Sequence, residues 1–342
     1  MKISKIWSEV KYIELKTPFK TALRETTHVE FIRLHVESDN GLVGIGEAPA
    51  TKAITGEDLE IITNSIESVK SIFLGLTCKE AIEKLHSTCK IGSSATSALD
   101  IAFVSLHVKI HNQSYIEYFG TKNLSPLKTD VTISLNDYET MIEDSKKAFQ
   151  DGMSILKVKL GSDIAHAVKV IHKIVKELPS VEIIVDANQA WSVEDSLAFI
   201  DGIEGLHVEL IEQPVKADDI SGLKVVTDYS QFPILADETV FTLEDAKKIV
   251  QSKSAHMINI KLMKCGGVTK AVEILKYARE NGVTCMLGSM LEGEYSINIA
   301  LHLAMAYRDV IQYIDLDSPL LYKELSDELD FEYRGCLILL KK

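Results

Sequence analysis

Cysteine is scarce in this 342-residue sequence and follows no pattern. Cys78, Cys89, Cys265, Cys285 and Cys336 make an odd set of five with no CxxC pair. That argues against a disulfide framework or a zinc site and fits a reduced, cytoplasmic setting. The ten histidines include no HExxH, and none pairs with the acids discussed below, so they read as surface or packing residues. No apolar run approaches the roughly 20 residues a membrane helix needs. The opening stretch, MKISKIWSEVKYIELKTPF, alternates like a strand and lacks the apolar core of a signal peptide. There is no block of basic residues, and the net charge is −13. Nucleic-acid binding would need a clustered positive face. A small anionic substrate stays open, because a bound cation and local lysines outweigh a diffuse global charge.

A hydrophobic fraction of 46% and a charged fraction of 25% are those of a globular protein. The length exceeds one ordinary core, so two domains are expected. Residues 1–124 read as an α+β unit. ISKIWSEVKYIEL and VEFIRLHVES alternate, and Asp39-Asn40-Gly41 separates the second run from LVGIGEA, a hairpin signal. Helical patterns follow over 57–74, 78–88 and 94–111. From 125 to 317 the pattern becomes strand, helix, strand, helix. Strands are expected at 130–134, 155–159, 182–186, 207–211, 234–236, 257–260, 284–287 and 311–314, with helices such as 138–150, 163–177, 242–252 and 268–281 between them. About eight parallel strands imply an α/β fold of the TIM-barrel type, with a doubly wound open sheet as the alternative. The segment 318–342 resumes alternation and is expected to return to the first domain.

Five charged residues stand at nearly even spacing: Lys159, Asp186, Glu212, Asp237 and Lys261, with neighbours 24 to 27 residues apart. Each ends a short apolar run, and a barrel gathers the ends of its strands around one mouth. Asp186, Glu212 and Asp237 would lie on neighbouring strands about 4.8 Å apart. Three carboxylates without a His or Cys partner suit Mg²⁺, with Mn²⁺ as the substitute. One Asp at a strand end is often only a helix cap. Three in register with a lysine on either side form a stronger pattern.

Lys157 and Lys159 form a K-x-K whose side chains alternate onto one face. Apolar neighbours make burial of two ammonium groups costly without anionic partners. Lys261 lies four strands further round, so Lys159 and Lys261 would face a substrate from opposite sides. A carbon acid beside a carboxylate is too weak for a free lysine, whose pKa is about 10.4. A divalent cation stabilises the enediolate that forms. One base on each face of the carbon lets a proton leave one side and return on the other, which favours racemisation or epimerisation over elimination.

In order, the K-x-K, D-x-N, E-Q-P, A-D-E and I-K-x-x-x-x-G-G elements resemble the enolase superfamily, in its muconate-lactonising subgroup. The similarity spans nearly the whole chain. It implies a modified TIM barrel, (β/α)7β, with an α+β capping domain. Within the subgroup the chain looks most like dipeptide epimerases of the L-Ala-D/L-Glu epimerase type. TPFKTALR at 17–24 and APATKAITG at 48–56 match the capping loops over the barrel mouth. On that resemblance Lys159 and Lys261 are catalytic, and Asp186, Glu212 and Asp237 bind Mg²⁺. Arg24 binds the side-chain carboxylate of a C-terminal Glu. Asp315 and Asp317 in YIDLDSP bind the α-ammonium of the dipeptide. Thr132, Lys157 and Ser289 complete the substrate set. The implied activity inverts the α-carbon of the C-terminal residue of L-Ala-L/D-Glu-like dipeptides by two-base 1,1-proton transfer through a metal-stabilised enediolate. The alternatives are N-acylamino acid racemase, o-succinylbenzoate synthase or cycloisomerase chemistry, or a non-catalytic metal-binding barrel. A homo-oligomer and a role in cell-wall peptide metabolism are also expected.

Asn188 reads as an orienting partner for the metal acids, and Trp191 as packing at the barrel top. The GxGE at 44–47 reads as a tight turn, and Gly266-Gly267 as a βα turn or an anion nest. Glu292 and Glu294, in SMLEGEYSI, either start a helix, where acids are favourable, or face the pocket and disfavour acidic substrates.

Overall fold

Alternation over the first fifty positions produces an antiparallel sheet of β1 (Ile3–Lys20), β2 (Glu25–Ser38) and β3 (Val43–Pro49). The structure, a computed structural model, describes residues 1–324 and 330–341. Gly41 makes the turn before β3 at φ 84°, a conformation that glycine adopts without a Cβ penalty. Helices α1 (Lys52–Thr55), α2 (Leu59–Val69), α3 (Cys78–Thr88), α4 (Ser93–Ile110) and α5 (Tyr115–Tyr118) follow. The sheet shares one apolar cluster with α2, α3 and α4, including Ile32, Leu34, Ile62, Leu85 and Phe103. A Cβ at Gly46 would stand 2.0 Å from Ala98 O. The 44–47 segment is therefore part of a strand, not the expected turn, and its glycines admit the backbone of α4.

After β4 (Leu127–Lys128), strands and helices alternate. They are β5 (Val131–Ile133), α6 (Tyr138–Gln150), β6 (Ile155–Lys159), α7 (Ile164–Glu177), β7 (Glu182–Asp186), α8 (Val193–Gly202), β8 (Leu210–Glu212), α9 (Ile220–Tyr229), β9 (Ile234–Ala236) and α10 (Leu243–Ser252). Then come β10 (Met257–Lys261), the one-turn α11 (Leu262–Cys265), α12 (Val268–Glu280), β11 (Thr284–Gly288), α13 (Glu294–Ala306) and β12 (Ile311–Asp315). Eight parallel strands stand side by side in chain order. Asp130 N–H donates to Ile314 O at 3.1 Å across the seam between first and last. This is the (β/α)7β barrel, and the sequential order leaves no topological switch point for the open-sheet alternative. The strand expected at 207–211 begins later, where Leu210 comes into register with Ile184.

The two-residue period of a strand sorts the barrel interior into layers. Ile155, Ile184, Leu210, Leu235, Met257 and Met286, one from each of β6 to β11, form an apolar plug with Tyr313. Two residues further along the same strands stand Lys157, Asp186, Glu212, Asp237, Asn259, Gly288 and Asp315. One sequence rhythm thus gives a dry floor and a polar layer on top of it.

Two helices of the barrel are capped by acids of the N-terminal domain. Asp100 of α4 accepts from Thr269 N at 3.0 Å and Thr269 Oγ1 at 2.6 Å, at the start of α12. Glu47 of β3 accepts from Tyr295 N at 2.9 Å and Ser296 N at 3.2 Å, at the start of α13. The N-cap residues of both helices are glycines, Gly267 and Gly293, with no side chain to cap with. A Cβ at Gly267 would lie 2.6 Å from Asp100 Cβ, and one at Gly293 would lie 2.2 Å from Glu47 Oε2.

The C-terminal segment divides. Lys323 N–H donates to Glu14 O at 2.9 Å, and Tyr322 bridges to Leu15, so this stretch runs along β1. The hairpin β13 (Phe331–Arg334) and β14 (Leu337–Leu340) pairs instead with β4. Phe331, Cys336 and Ile338 join the apolar cluster of the barrel. Of the segment 318–342, residues 325–329 and 342 lie outside the described residues; Tyr322 and Lys323 run along β1, while the hairpin buries its apolar side chains in the cluster of the barrel.

Candidate active site

The polar layer and the residues above it line a pocket of about 590 Å³, counting the space open at its mouth. Thr132, Lys159, Asn188, Asp237, Lys261, Ser289, Asp315 and Asp317 line it from the barrel side. Phe19, Thr21, Leu23 and Arg24 line it from the β1–β2 connection, and Thr51, Ala53 and Ile54 from the segment after β3. The β1–β2 connection is tied to the barrel: Lys20 N–H donates to Ser134 Oγ at 3.2 Å, and Leu135 N–H to Lys20 O at 3.1 Å. The two capping loops therefore roof the mouth as expected.

The lysines and acids interleave. Lys159 Nζ donates to Asp186 Oδ2 at 2.5 Å, and Lys261 Nζ to Asp237 Oδ2 at 2.8 Å. Lys157 is fully buried beneath them, 2.7 Å from Glu212 Oε2, 2.6 Å from Asp315 Oδ2 and 3.4 Å from Asp186 Oδ2. Burial works against its ammonium, but Asp315, Glu212, Asp186 and Asp130 more than offset this and raise its pKa. Burial likewise opposes the charge on Lys261, and Asp237, Glu212 and Asp315 together outweigh it, leaving the pKa above the ordinary lysine value. Gly288 leaves space at this point, since a Cβ there would stand 3.0 Å from Lys261 Cε.

The donor set fits a hard divalent cation. Asp186 and Glu212 are Cα partners in register on β7 and β8, and Asp237 follows β9. All three are buried. Burial pushes Glu212 up to about 7, and the neighbouring carboxylates Asp186 and Asp237 add to the effect. Such mutual repulsion among oxygen donors is what a divalent cation relieves. Asn188 lies beside these acids: its N–H donates to Asp186 Oδ1 at 2.8 Å, and its Nδ2 reaches Asp186 Oδ2 at 3.3 Å and Glu238 Oε1 at 3.2 Å. Asn259 Nδ2 donates to Glu212 Oε1 at 2.9 Å.

A second acidic group lies across the pocket floor. Ligand oxygens of Asp130, Asp315 and Asp317 lie within 4.8 Å of one another. Thr132 N–H donates to Asp317 Oδ2 at 2.6 Å, and Ser289 N–H to Asp315 O at 2.9 Å. Asp317 is pushed up to about 6 by burial and by Asp315.

Arg24 lines the pocket, and among the described residues its guanidinium has no acidic partner. Burial lowers its pKa. Trp191 is buried as expected, donating from Nε1 to Gly161 O at 2.8 Å. Gly266 and Gly267, at φ 87° and 106°, form the turn between α11 and α12. Glu294 starts α13, while Glu292 lies buried below the pocket lining, accepting from Met290 N at 2.8 Å. Neither lines the pocket.

Sequence reasoning missed four polar residues of this region. Asp130 is fully buried, and among the described residues both of its oxygens lack a hydrogen-bond partner; its alternation with Thr132 was the available signal. Glu238 follows Asp237 in ADE and lines the pocket, pushed up to about 8 by burial, Asp237 and Asp186. Asn259 and Lys264 stand in NIKLMKCGG on either side of Lys261, and no spacing in that stretch marks them.

Comparison with known proteins agrees along the whole chain. Residues 6–120 match the mandelate racemase / muconate lactonizing enzyme N-terminal domain, and residues 140–340 match the enolase C-terminal domain-like family. The L-amino acid-D/L-Glu epimerase of Sulfurimonas denitrificans is 61% identical over 338 residues, 99% of each chain. The substrate-liganded L-Ala-D/L-Glu epimerase from Bacillus subtilis superimposes with a TM-score of 0.95 at 36% identity, covering 100% of this chain and 97% of that one. A dipeptide epimerase from Enterococcus faecalis V583, solved with Mg and L-Leu-L-Tyr, gives a TM-score of 0.93 at 30% identity, over 100% and 98% of the two chains. With both of its domains matched and its site built at the barrel mouth, the chain belongs to the mandelate racemase / muconate lactonizing enzyme family of the enolase superfamily.

Proposed function

We propose that this protein is a Mg²⁺-dependent dipeptide epimerase that inverts the α-carbon of the C-terminal residue of L-Ala-Glu-like substrates. The observation that carries the reading is the pair Lys159 and Lys261, on strands β6 and β10 of an eight-stranded barrel, lining one pocket from opposite sides. Binding alone requires neither lysine. Asp186, Glu212 and Asp237 would hold the cation, and Asn188 orients Asp186. When bound, Mg²⁺ offsets the charge of the substrate α-carboxylate and so acidifies the neighbouring C–H.

The chain's own groups do the rest. One lysine in its neutral form takes the α-proton, and the other, as ammonium, delivers a proton to the opposite face. Charge is conserved and the stereocentre inverts. Asp186 beside Lys159 and Asp237 beside Lys261 keep each amine aimed at the pocket. Lys157, with no exposure and three carboxylates around it, holds a fixed positive charge at the floor. Asp315 and Asp317 receive the α-ammonium of the dipeptide, with the buried Asp130 below them, its carboxyl pushed toward the neutral form by burial and by Asp315. N-acyl substrates have no such ammonium, so this acidic wall supports a dipeptide over an N-acylamino acid. Arg24 receives the side-chain carboxylate through a planar guanidinium suited to bidentate contact. Thr132 and Ser289 border the substrate at the barrel mouth.

Incubation with L-Ala-L-Glu and Mg²⁺, followed by chiral chromatography, should show L-Ala-D-Glu growing to a stable ratio. Chelation with EDTA should stop the reaction and added Mg²⁺ should restore it. No conversion of acidic or hydrophobic dipeptides would refute the reading.

A further inference from the structure

Lys264 sits beside the site but cannot serve the substrate directly. It is 2% exposed and absent from the pocket lining. An ammonium has three N–H donors, and all of them are engaged. Lys264 Nζ lies 2.5 Å from Asp237 Oδ1, 2.5 Å from Asp237 O and 3.0 Å from Asn259 O. The Phe241 ring closes over it at 5.8 Å. Asn259 in turn donates from its side chain to Glu212 Oε1 at 2.9 Å. A continuous chain of contacts thus runs Asp237–Lys264–Asn259–Glu212, joining two acids on neighbouring strands.

Asp237 therefore meets two lysines with different duties. Lys261 takes Oδ2 and must be free to gain and lose a proton. Lys264 takes Oδ1 and the main-chain oxygen of the same residue, a grip that a working base could not supply. We propose that Lys264, with Asn259, is a positioning brace that aims Asp237 and Glu212 at the cation while leaving Lys261 free for proton transfer. The inference rests on reading Asp186, Glu212 and Asp237 as cation ligands.

The test is Mn²⁺ titration followed by EPR, at a temperature well below unfolding, with kcat and KM measured alongside. Lys264→Met should weaken Mn²⁺ binding by roughly 10- to 100-fold, the range found when an orienting partner of a metal ligand is lost. Lys264→Arg, which keeps the cation, should recover part of that loss. At saturating Mn²⁺, Lys264→Met should lower kcat more than it raises KM for L-Ala-L-Glu, because Arg24, Asp315 and Asp317 are not attached to the brace. If Lys264→Met does not fold, Asn259→Ala releases Glu212 and should weaken Mn²⁺ binding in the same direction. Wild-type affinity in the variant that folds would overturn the brace while leaving the epimerase reading standing. Failure of the wild-type protein to bind Mn²⁺, or full affinity in Asp186→Asn, would overturn the cation reading and the brace with it.

Discussion

On the proposed function, substrate choice turns on Arg24. Its guanidinium is held over the pocket by a connection tied to Ser134 and Leu135, and no acid among the described residues neutralises it. A partly buried cation without an acidic partner is costly, so the site is set up to gain from an anionic side chain. A hydrogen bond to a charged group contributes about 1.5–3 kcal/mol. Arg24→Met should therefore raise KM for L-Ala-L-Glu by roughly 10- to 100-fold, and should leave L-Ala-L-Leu unchanged or improved in the same steady-state assay. The main acids and lysines were legible in the sequence because each ends an apolar strand, and strand ends meet in a barrel. Lys264 was not legible. It lies one helical turn beyond Lys261, and only the fold of α11 brings its amine back to Asp237.

At the scale of elements, helix starts were readable where the cap is local. Asp137, Asp163 and Thr242 cap α6, α7 and α10 from the adjoining position, as N-cap chemistry predicts. The starts of α12 and α13 carried no such signal, because their capping acids lie 169 and 248 residues away in sequence. Gly267 and Gly293 mark the places where those acids enter. Asp100 also accepts from His86 Nε2 at 2.8 Å, so it joins α3, α4 and α12. Removing such a cap costs about 1–2 kcal/mol. Asp100→Ala should lower the thermal unfolding midpoint by a corresponding amount, measured by circular dichroism. An unchanged midpoint would show that the Asp100 cap adds nothing to the junction of the two domains. The GxGE segment was misread for a related reason: the sequence contains the glycines but not the α4 backbone that they accommodate.

For the molecule as a whole, the barrel converts a linear rhythm into a division of labour. Its apolar floor excludes water from below. Its polar layer concentrates carboxylates and ammonium groups that would be unaffordable to bury singly. The capping loops, contributed from the other end of the chain, supply Arg24 above. Strand order and the closure between Asp130 and Ile314 follow from eight regularly spaced apolar runs, which is why the architecture could be read in advance. The placement of the C-terminal hairpin could not, since alternation alone does not say which edge a strand will join. The central claim is that two lysines serve opposite faces of one carbon. It is tested most directly by NMR of α-hydrogen exchange in D₂O, with Lys159→Ala and Lys261→Ala each offered L-Ala-L-Glu and L-Ala-D-Glu separately. The account predicts that neither variant interconverts the two substrates, and that any residual exchange in each variant is confined to one diastereomer, the opposite one in the other variant. Full epimerisation by either variant would contradict it.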